Sequence, residues 1–556
     1  MLPPKTPRSR GGCMTCKVRR VKCDEEKPTC YRCRSTGRRC DGYQPGAISN
    51  SNARNVKIIQ YIPKASLQTQ RLSHSSFSDL TTEQEWRSWE FFHRQTASCF
   101  GHKAGDFLLS AATTDPLIRA AALALGSLHR MFLYEGDHNG IDTSAGRQMA
   151  LRQYNTAVRR GLNKLSQSSA DSIDTFLIMC ALFYCAECLQ GYYQAALRHV
   201  ASGVRILRHQ EQLRLSCSGD PYRPHEEIQS ILAIMENQLL EVGGELSLPD
   251  NIKPYTSTCL QVSFEDLPVT MSTLEELGDA FKIIYNKFLH VLSSAESLAK
   301  DIPEEVQGHM KAQYMDVLES MSRFSTAFDC FLAANPQHQM DENARTYMKT
   351  LQMWRTTVGV ILNAGWPPCD SAWDKHTADY AVICSLAEEM ISKNAPALSG
   401  PVHATSTTGH KGKKQPSAGH SGRDTTRHIY TSILPKPQPP CSPSFFSLSL
   451  GVLPVLWIVA VSCRDSKTRY RAIHLMTRSK RQEGIWDSRL YARVAARIAR
   501  LEEEGAGIPE GVDYEPSDIP TSARVSAVIG RFEEGRRGNV QFLWHNLEKL
   551  EELVVW

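Results

Sequence analysis

Six cysteines fall within 28 residues, as Cys13-Met-Thr-Cys16-Lys-Val-Arg-Arg-Val-Lys-Cys23 and then Cys30-Tyr-Arg-Cys33-Arg-Ser-Thr-Gly-Arg-Arg-Cys40. The spacing C-x2-C-x6-C is stated twice. Such density makes each sulfur either a disulfide partner or a metal ligand. Residues 1–12 are polar, basic and rich in Pro and Gly, with no apolar signal segment, so a reducing compartment is expected. C-x2-C pairs in that setting point to metal. Structural zinc takes four tetrahedral ligands, and this segment has no histidine. One ion leaves two cysteines idle. Two ions need eight ligand positions, which six cysteines fill only if two of them bridge. The symmetry of the repeat suggests one bridge per half, with the first cysteine of each, Cys13 and Cys30, the natural choice.

The full pattern C-x2-C-x6-C-x6-C-x2-C-x6-C, with Lys17, Arg19, Arg20 and Lys22 in the first half and Lys27-Pro28 before the fourth cysteine, resembles the fungal zinc binuclear cluster (Zn(2)-C6 fungal-type) DNA-binding domain. The resemblance spans residues 10–43. It implies two Zn2+, one held by Cys13, Cys16, Cys23 and Cys30, the other by Cys13, Cys30, Cys33 and Cys40. It further implies a helix in the major groove and a CGG-type half-site, with the main base contact falling on Arg20. Lys17, Arg19 and Lys22 suit phosphate contacts, which position without specifying. Family members often have the bond before the loop proline in cis.

Charge agrees with a nucleic-acid role. Residues 1–45 hold 12 Lys/Arg against 4 Asp/Glu, while the rest of the chain holds 52 against 55. Six thiolates and two Zn2+ lower the N-terminal surplus to about +6. The cationic surface is therefore concentrated at one end, as DNA binding requires.

After the cluster, residues 44–80 read as a flexible linker rich in Ser, Asn, Thr and Gln. No a/d heptad repeat follows, so monomeric DNA binding and a homodimer through the later domain both stay open. From 81 to 556 the pattern is helical. Thr82-x-x-Glu85 reads as a capping box, and Asp115-Pro116 starts an apolar helix. Leu151, Tyr154, Val158, Leu162 and Leu165 step by 3, 4, 4 and 3, an amphipathic helix expected to face a core. Further helices are expected near 171–190, 192–209, 225–243, 273–300, 303–333, 341–364, 371–393 and 487–504. No stretch shows sustained strand alternation. Residues 396–442 read as a disordered insert, in which His403, His410, His420 and His428 are solvated rather than ligating. Phe445–Cys463 is the most hydrophobic run, but its Ser, Gly and Pro content favours a buried helix over a membrane span.

This region carries a second resemblance. Phe107-Leu-Leu-Ser110, the run Asp115 to His129, Ala195-Ala-Leu-Arg-His199 with Gly203, and Cys463-Arg-Asp with Arg469, Ala472 and Ile473 are similar to the fungal-specific transcription factor regulatory domain. The resemblance implies an all-α regulatory region that contacts transcription machinery or co-regulators.

Other chemistry is sparse. Cys185-Ala-Glu-Cys188 reads as buried thiols. The basic stripe Arg489, Arg493, Arg497 and Arg500 reads as a salt-bridged face. The C-terminal Trp544–Trp556 segment reads as a packed terminal helix rather than an activation segment. No Walker A, G-x-S-x-G, H-E-x-x-H or Rossmann pattern is present, so no enzyme is expected. The expected fold is all-α: a small two-zinc cluster with two short helices, a linker, and a large helical domain. The expected function is a nuclear, zinc-dependent, sequence-specific regulator of RNA polymerase II transcription. The alternative is a zinc module that binds protein without its own DNA specificity.

Overall fold

The computed structural model describes residues 13, 15–16, 19, 21–40, 79–134, 143–165, 172–216, 225–242, 271–296, 304–365, 370–393, 444–533, 535–546 and 548–556. The chain forms two compact units, Met1–Leu72 and Ser73–Trp556. The expected linker lies almost wholly outside the described residues, and the expected insert and its four histidines lie entirely outside them.

In the first unit, α1 is Tyr31–Ser35. Thr15 and Cys16 are also helical, and the Arg19 N–H donates to the Thr15 carbonyl at 3.2 Å. Of the expected first helix over residues 14–22, Arg19 lies in a turn and Val21 and Lys22 are not helical, while 14, 17, 18 and 20 lie outside the described residues. The core of this unit is its cysteines, with Val21 and half-exposed Cys40 against them.

The second unit is all-α in bulk, as expected. It begins with α2 (Glu83–Phe91), α3 (His102–Thr114), α4 (Pro116–Tyr134) and α5 (Thr143–Leu165). Next come α6 (Ser172–Gln190), α7 (Tyr193–Ser216), α8 (Glu226–Val242), α9 (Leu274–Glu296), α10 (Glu304–Ala334), α11 (Glu342–Asn363) and α12 (Thr377–Lys393). Strand β1 (Phe445–Ser447) precedes α13 (Leu453–Ser462) and α14 (Ser466–Arg478). β2 (Arg481–Glu483) and β3 (Trp486–Asp487) lead into α15 (Ser488–Ala506). The chain closes with β4 (Val525–Phe532), β5 (Arg537–Trp544) and β6 (Lys549–Val555).

Local signals formed where the residues placed them. Both halves of the Thr82/Glu85 capping box are made at the start of α2. The Asp115 carboxylate accepts from the Leu117 N–H at 2.8 Å and pairs with Lys164 at 2.9 Å, tying the start of α4 to α5. α6 is long and apolar enough to cross a membrane by composition, yet most of its Ile173–Gln190 window is buried within the protein. Its apolar surface is satisfied by helices on several sides, and Cys185 and Cys188 sit wholly inside it. Of the hydrophobic run Phe445–Cys463, Leu453–Ser462 form the short buried helix α13, while Phe445–Ser447 form the strand β1 instead.

Two expectations fail. The helix α5 does not turn its large apolar stripe inward. Ala150, Gln153 and Ala157 are buried, whereas Leu151 and Val158 are exposed and Leu162 is 62% exposed. The cause is its neighbour. Against α5 the helix α4 sets Ser127, whose Oγ donates to the Gly146 carbonyl at 2.9 Å, and a Cβ on Gly146 would meet Met131 Sδ at 3.1 Å, so the seam between the two helices admits small side chains. Of the stripe, only Tyr154 is drawn in, packing on Phe183 of α6 at 4.3 Å and donating to Glu187 at 2.7 Å; the side chain of Leu165 lies outside the described residues.

The C-terminal segment is not a helix. β4, β5 and β6 form a three-stranded antiparallel sheet in sequential order. The Glu- and Leu-rich composition of β6 favours helix, but Leu550, Glu552 and Val554 alternate with more exposed neighbours at a period of two. Pairing with β5 decides the conformation. Glu552 then meets Arg497 of α15 at 2.8 Å, and Arg500 pairs with Glu503 at 3.1 Å, so these arginines of the basic stripe are salt-bridged as expected.

Candidate functional site

The two halves of the cysteine repeat fold alike. In each, the second cysteine of the C-x2-C donates its N–H to the sulfur of the first: Cys16 to Cys13 at 3.4 Å, and Cys33 to Cys30 at 3.3 Å. In each, the residue five beyond that second cysteine closes a turn on its carbonyl: Val21 on Cys16 at 3.2 Å, and Arg38 on Cys33 at 3.0 Å. The halves face each other through equivalent positions, with Arg19 Nη1 donating to Thr36 Oγ1 at 3.4 Å. The Lys27-Pro28 bond in the connecting loop is cis.

This symmetry gathers all six sulfurs. Cys13, Cys16, Cys23 and Cys30 form one set and Cys13, Cys30, Cys33 and Cys40 another, with the sulfurs of each set within 4.8 Å of one another. Cys13 and Cys30, common to both, lie 3.6 Å apart, and Cys16 is 3.7 Å from Cys30. Four thiolates around one zinc at ~2.3 Å sit ~3.8 Å from each other in a tetrahedron, so the residues fit the metal. Burial pushes the Cys13 thiol up to about 12 and raises those of Cys16 and Cys30. A dication among the sulfurs reverses this, because the thiolate is the ligand form.

Asp24, directly after Cys23, was not singled out by the sequence. Its carboxylate accepts from the Tyr31 N–H at 2.7 Å and the Arg32 N–H at 2.9 Å, closing the loop onto the first turn of α1. The Arg32 N–H chiefly, with the Tyr31 N–H, holds this carboxyl below the usual carboxylate range. The available signal was an acidic residue a short loop ahead of a helix start.

Of the expected DNA contacts, Lys22 is exposed and Arg19 half-buried, while Lys17 and Arg20 lie outside the described residues. Arg32, Arg34, Arg38 and Arg39 are exposed as well. Arg34 lies over the Tyr31 ring at 5.5 Å and pairs at long range with Glu26.

Residues 11–46 match the fungal Zn(2)-Cys(6) binuclear cluster domain. The chain is 39% identical to the aspercryptin biosynthesis cluster-specific transcription regulator atnN of Emericella nidulans, over 99% of this chain and 96% of that protein. It is 28% identical to the transcription regulator lscL of Purpureocillium lilacinum, over 34% of this chain and 47% of the relative. It is 37% identical to the transcriptional regulatory protein moc3 of Schizosaccharomyces pombe, over 14% of this chain and 18% of the relative. No solved structure matches the chain.

Proposed function

This chain belongs to the fungal Zn(2)-Cys(6) binuclear cluster transcription regulators, and from that membership we propose that it reads CGG-type half-sites in the major groove and regulates RNA polymerase II transcription in the nucleus. The chain is a DNA-binding transcription factor rather than an enzyme, and its cluster binds two zinc ions.

One zinc is held by Cys13, Cys16, Cys23 and Cys30, and the other by Cys13, Cys30, Cys33 and Cys40. The observation that supports these sets is the sulfur geometry, two groups of four sharing Cys13 and Cys30. Zinc supplies folding free energy that so small a unit cannot draw from a core. Arg20 reads the guanines, because a guanidinium donates to O6 and N7 together, worth ~1–3 kcal/mol of discrimination. Lys17, Arg19 and Lys22 hold phosphates. Residues 10–43 are the DNA-binding domain, 44–80 the linker and 81–556 the regulatory domain. That last domain contacts co-regulators and is where any homodimer forms. The name of the Emericella relative supports targets within one biosynthetic gene cluster.

A mobility-shift experiment with zinc-loaded full-length protein tests the core of this reading. Probes with CGG half-sites are expected to shift ahead of scrambled probes, chelator to abolish the shift, and Arg20→Ala to erase the preference. An unchanged specificity ratio in Arg20→Ala at fixed salt overturns the assignment of Arg20. Equal affinity of the wild-type protein for both probes overturns sequence reading and leaves a protein-binding zinc module.

A further inference from the structure

The exposed stripe of α5 is a surface that no described residue covers. Leu151, Val158 and Leu162 recur at a spacing of seven and four, which places them along one line of the helix. All three face solvent among the described residues, with Leu151 at 49% and Leu162 at 62% exposure. Single exposed leucines are ordinary, but an aligned row marks an interaction site.

The charge beside the stripe selects the partner. α5 carries Arg147, Arg152, Arg159, Arg160 and Lys164 and no acidic residue. Two of these are already matched inside the protein, Arg160 by Asp79 at 3.5 Å and Lys164 by Asp115 at 2.9 Å. Arg147, Arg152 and Arg159 are exposed, and no described carboxylate pairs with them. By helical geometry Arg152 and Arg159 run along one side of the leucine row, and Arg147 flanks the other.

We propose that this face of α5 docks an acidic amphipathic helix of a partner protein, its apolar residues on Leu151, Val158 and Leu162 and its carboxylates on Arg147, Arg152 and Arg159. A second copy of α5 would set arginines against arginines, which disfavours self-association here. Bare phosphate leaves the leucines unused. This gives a chemistry to the co-regulator contact proposed above, and it rests on that reading.

The test uses full-length, zinc-loaded protein and a fluorescent synthetic amphipathic helix bearing a leucine row flanked by glutamates. A twin peptide carries lysine at every glutamate. Fluorescence anisotropy is expected to show saturable binding of the Glu peptide and not of the Lys peptide. A Leu151→Ser/Leu162→Ser variant is expected to weaken binding about tenfold or more, and Arg152→Glu/Arg159→Glu to reverse the peptide preference. These side chains are exposed, so the variants are expected to fold, and an unchanged thermal midpoint checks that. Several outcomes overturn the proposal: no binding of the Glu peptide, binding indifferent to both variants, leucine-dependent dimers in sedimentation, or binding of random duplex DNA lost only in the arginine variant. The CGG shift measured on the same samples separates failure here from failure of the DNA-binding reading.

Discussion

Arg469 and Glu502 meet at 2.6 Å with neither side chain exposed to solvent. Arg464 reaches the other oxygen of the same carboxylate at 3.2 Å, and the Val525 N–H donates to it at 3.0 Å. Both arginines belong to the Cys463-Arg-Asp…Arg469 motif that the sequence shares with the regulatory domain. Glu502 thus joins α14, α15 and the start of β4. Arg469 Nε also donates to the Ala460 carbonyl of α13 at 2.9 Å, extending the tie to a third helix.

Glu502→Gln is expected to cost about 3–5 kcal/mol at neutral pH, because it strands two buried guanidinium groups. Burial alone would raise the Glu502 carboxyl, but Arg469 and Arg464 outweigh that and hold it below its ordinary 4.5. A depressed folded-state value contributes stability above the unfolded value and loses it as pH falls through the folded one. The gap between wild type and variant is therefore expected to be constant from pH 7 to about 5 and to narrow below 4.5. Denaturant titrations across that range check it.

Zinc stoichiometry tells the shared sulfurs from the others. Native mass spectrometry of the wild type is expected to give two zinc ions. Cys30→Ser removes a ligand from both sets at once and is expected to retain neither ion. Cys40→Ser, at the half-exposed edge, touches one set and is expected to retain one. Equal loss in both variants would contradict the sharing of Cys30.

Gly126 allows α4 to pass under α2. A Cβ there meets the Ser88 carbonyl oxygen at 2.5 Å and Phe92 Cβ at 3.0 Å. Gly126→Ala is expected to destabilise by about 1–3 kcal/mol through overpacking. Gly359 of α11, with nothing within 4 Å of its Cβ position, is the control. Gly359→Ala is expected to be neutral or to stabilise by about 0.5–1 kcal/mol. Thermal midpoints of the two variants should move in opposite directions or differ clearly in size.

The last residue is anchored in the helical core. Trp556 stacks on Tyr193 with ring centroids 5.9 Å apart, and its indole N–H donates to Asp487 at 3.1 Å. Arg536 pairs with the same carboxylate at 2.8 Å. Trp556→Ala is expected to cost about 2 kcal/mol or more, read as a drop in denaturation midpoint. An unchanged midpoint would show that the terminal sheet is held without it.

Spacing and ligand arithmetic in the sequence were enough to point to a two-zinc cluster. A metal site is written in residue type and local distance along the chain, and Cys13 to Cys40 is nearly all local. Helix starts such as Thr82 and Asp115 were legible for the same reason, since a cap acts within a few residues. What the sequence left undetermined was set by partners distant along the chain. The facing of α5 depended on its seam with α4, which made alanines rather than leucines the buried side. The conformation of β6 depended on β5, whose ladder overrode a helix-favouring composition. Glu502 meets Arg469 only because helices α13 to α15 pack together. Periodicity identifies an amphipathic helix, and only the neighbour it meets decides which of its faces is inside.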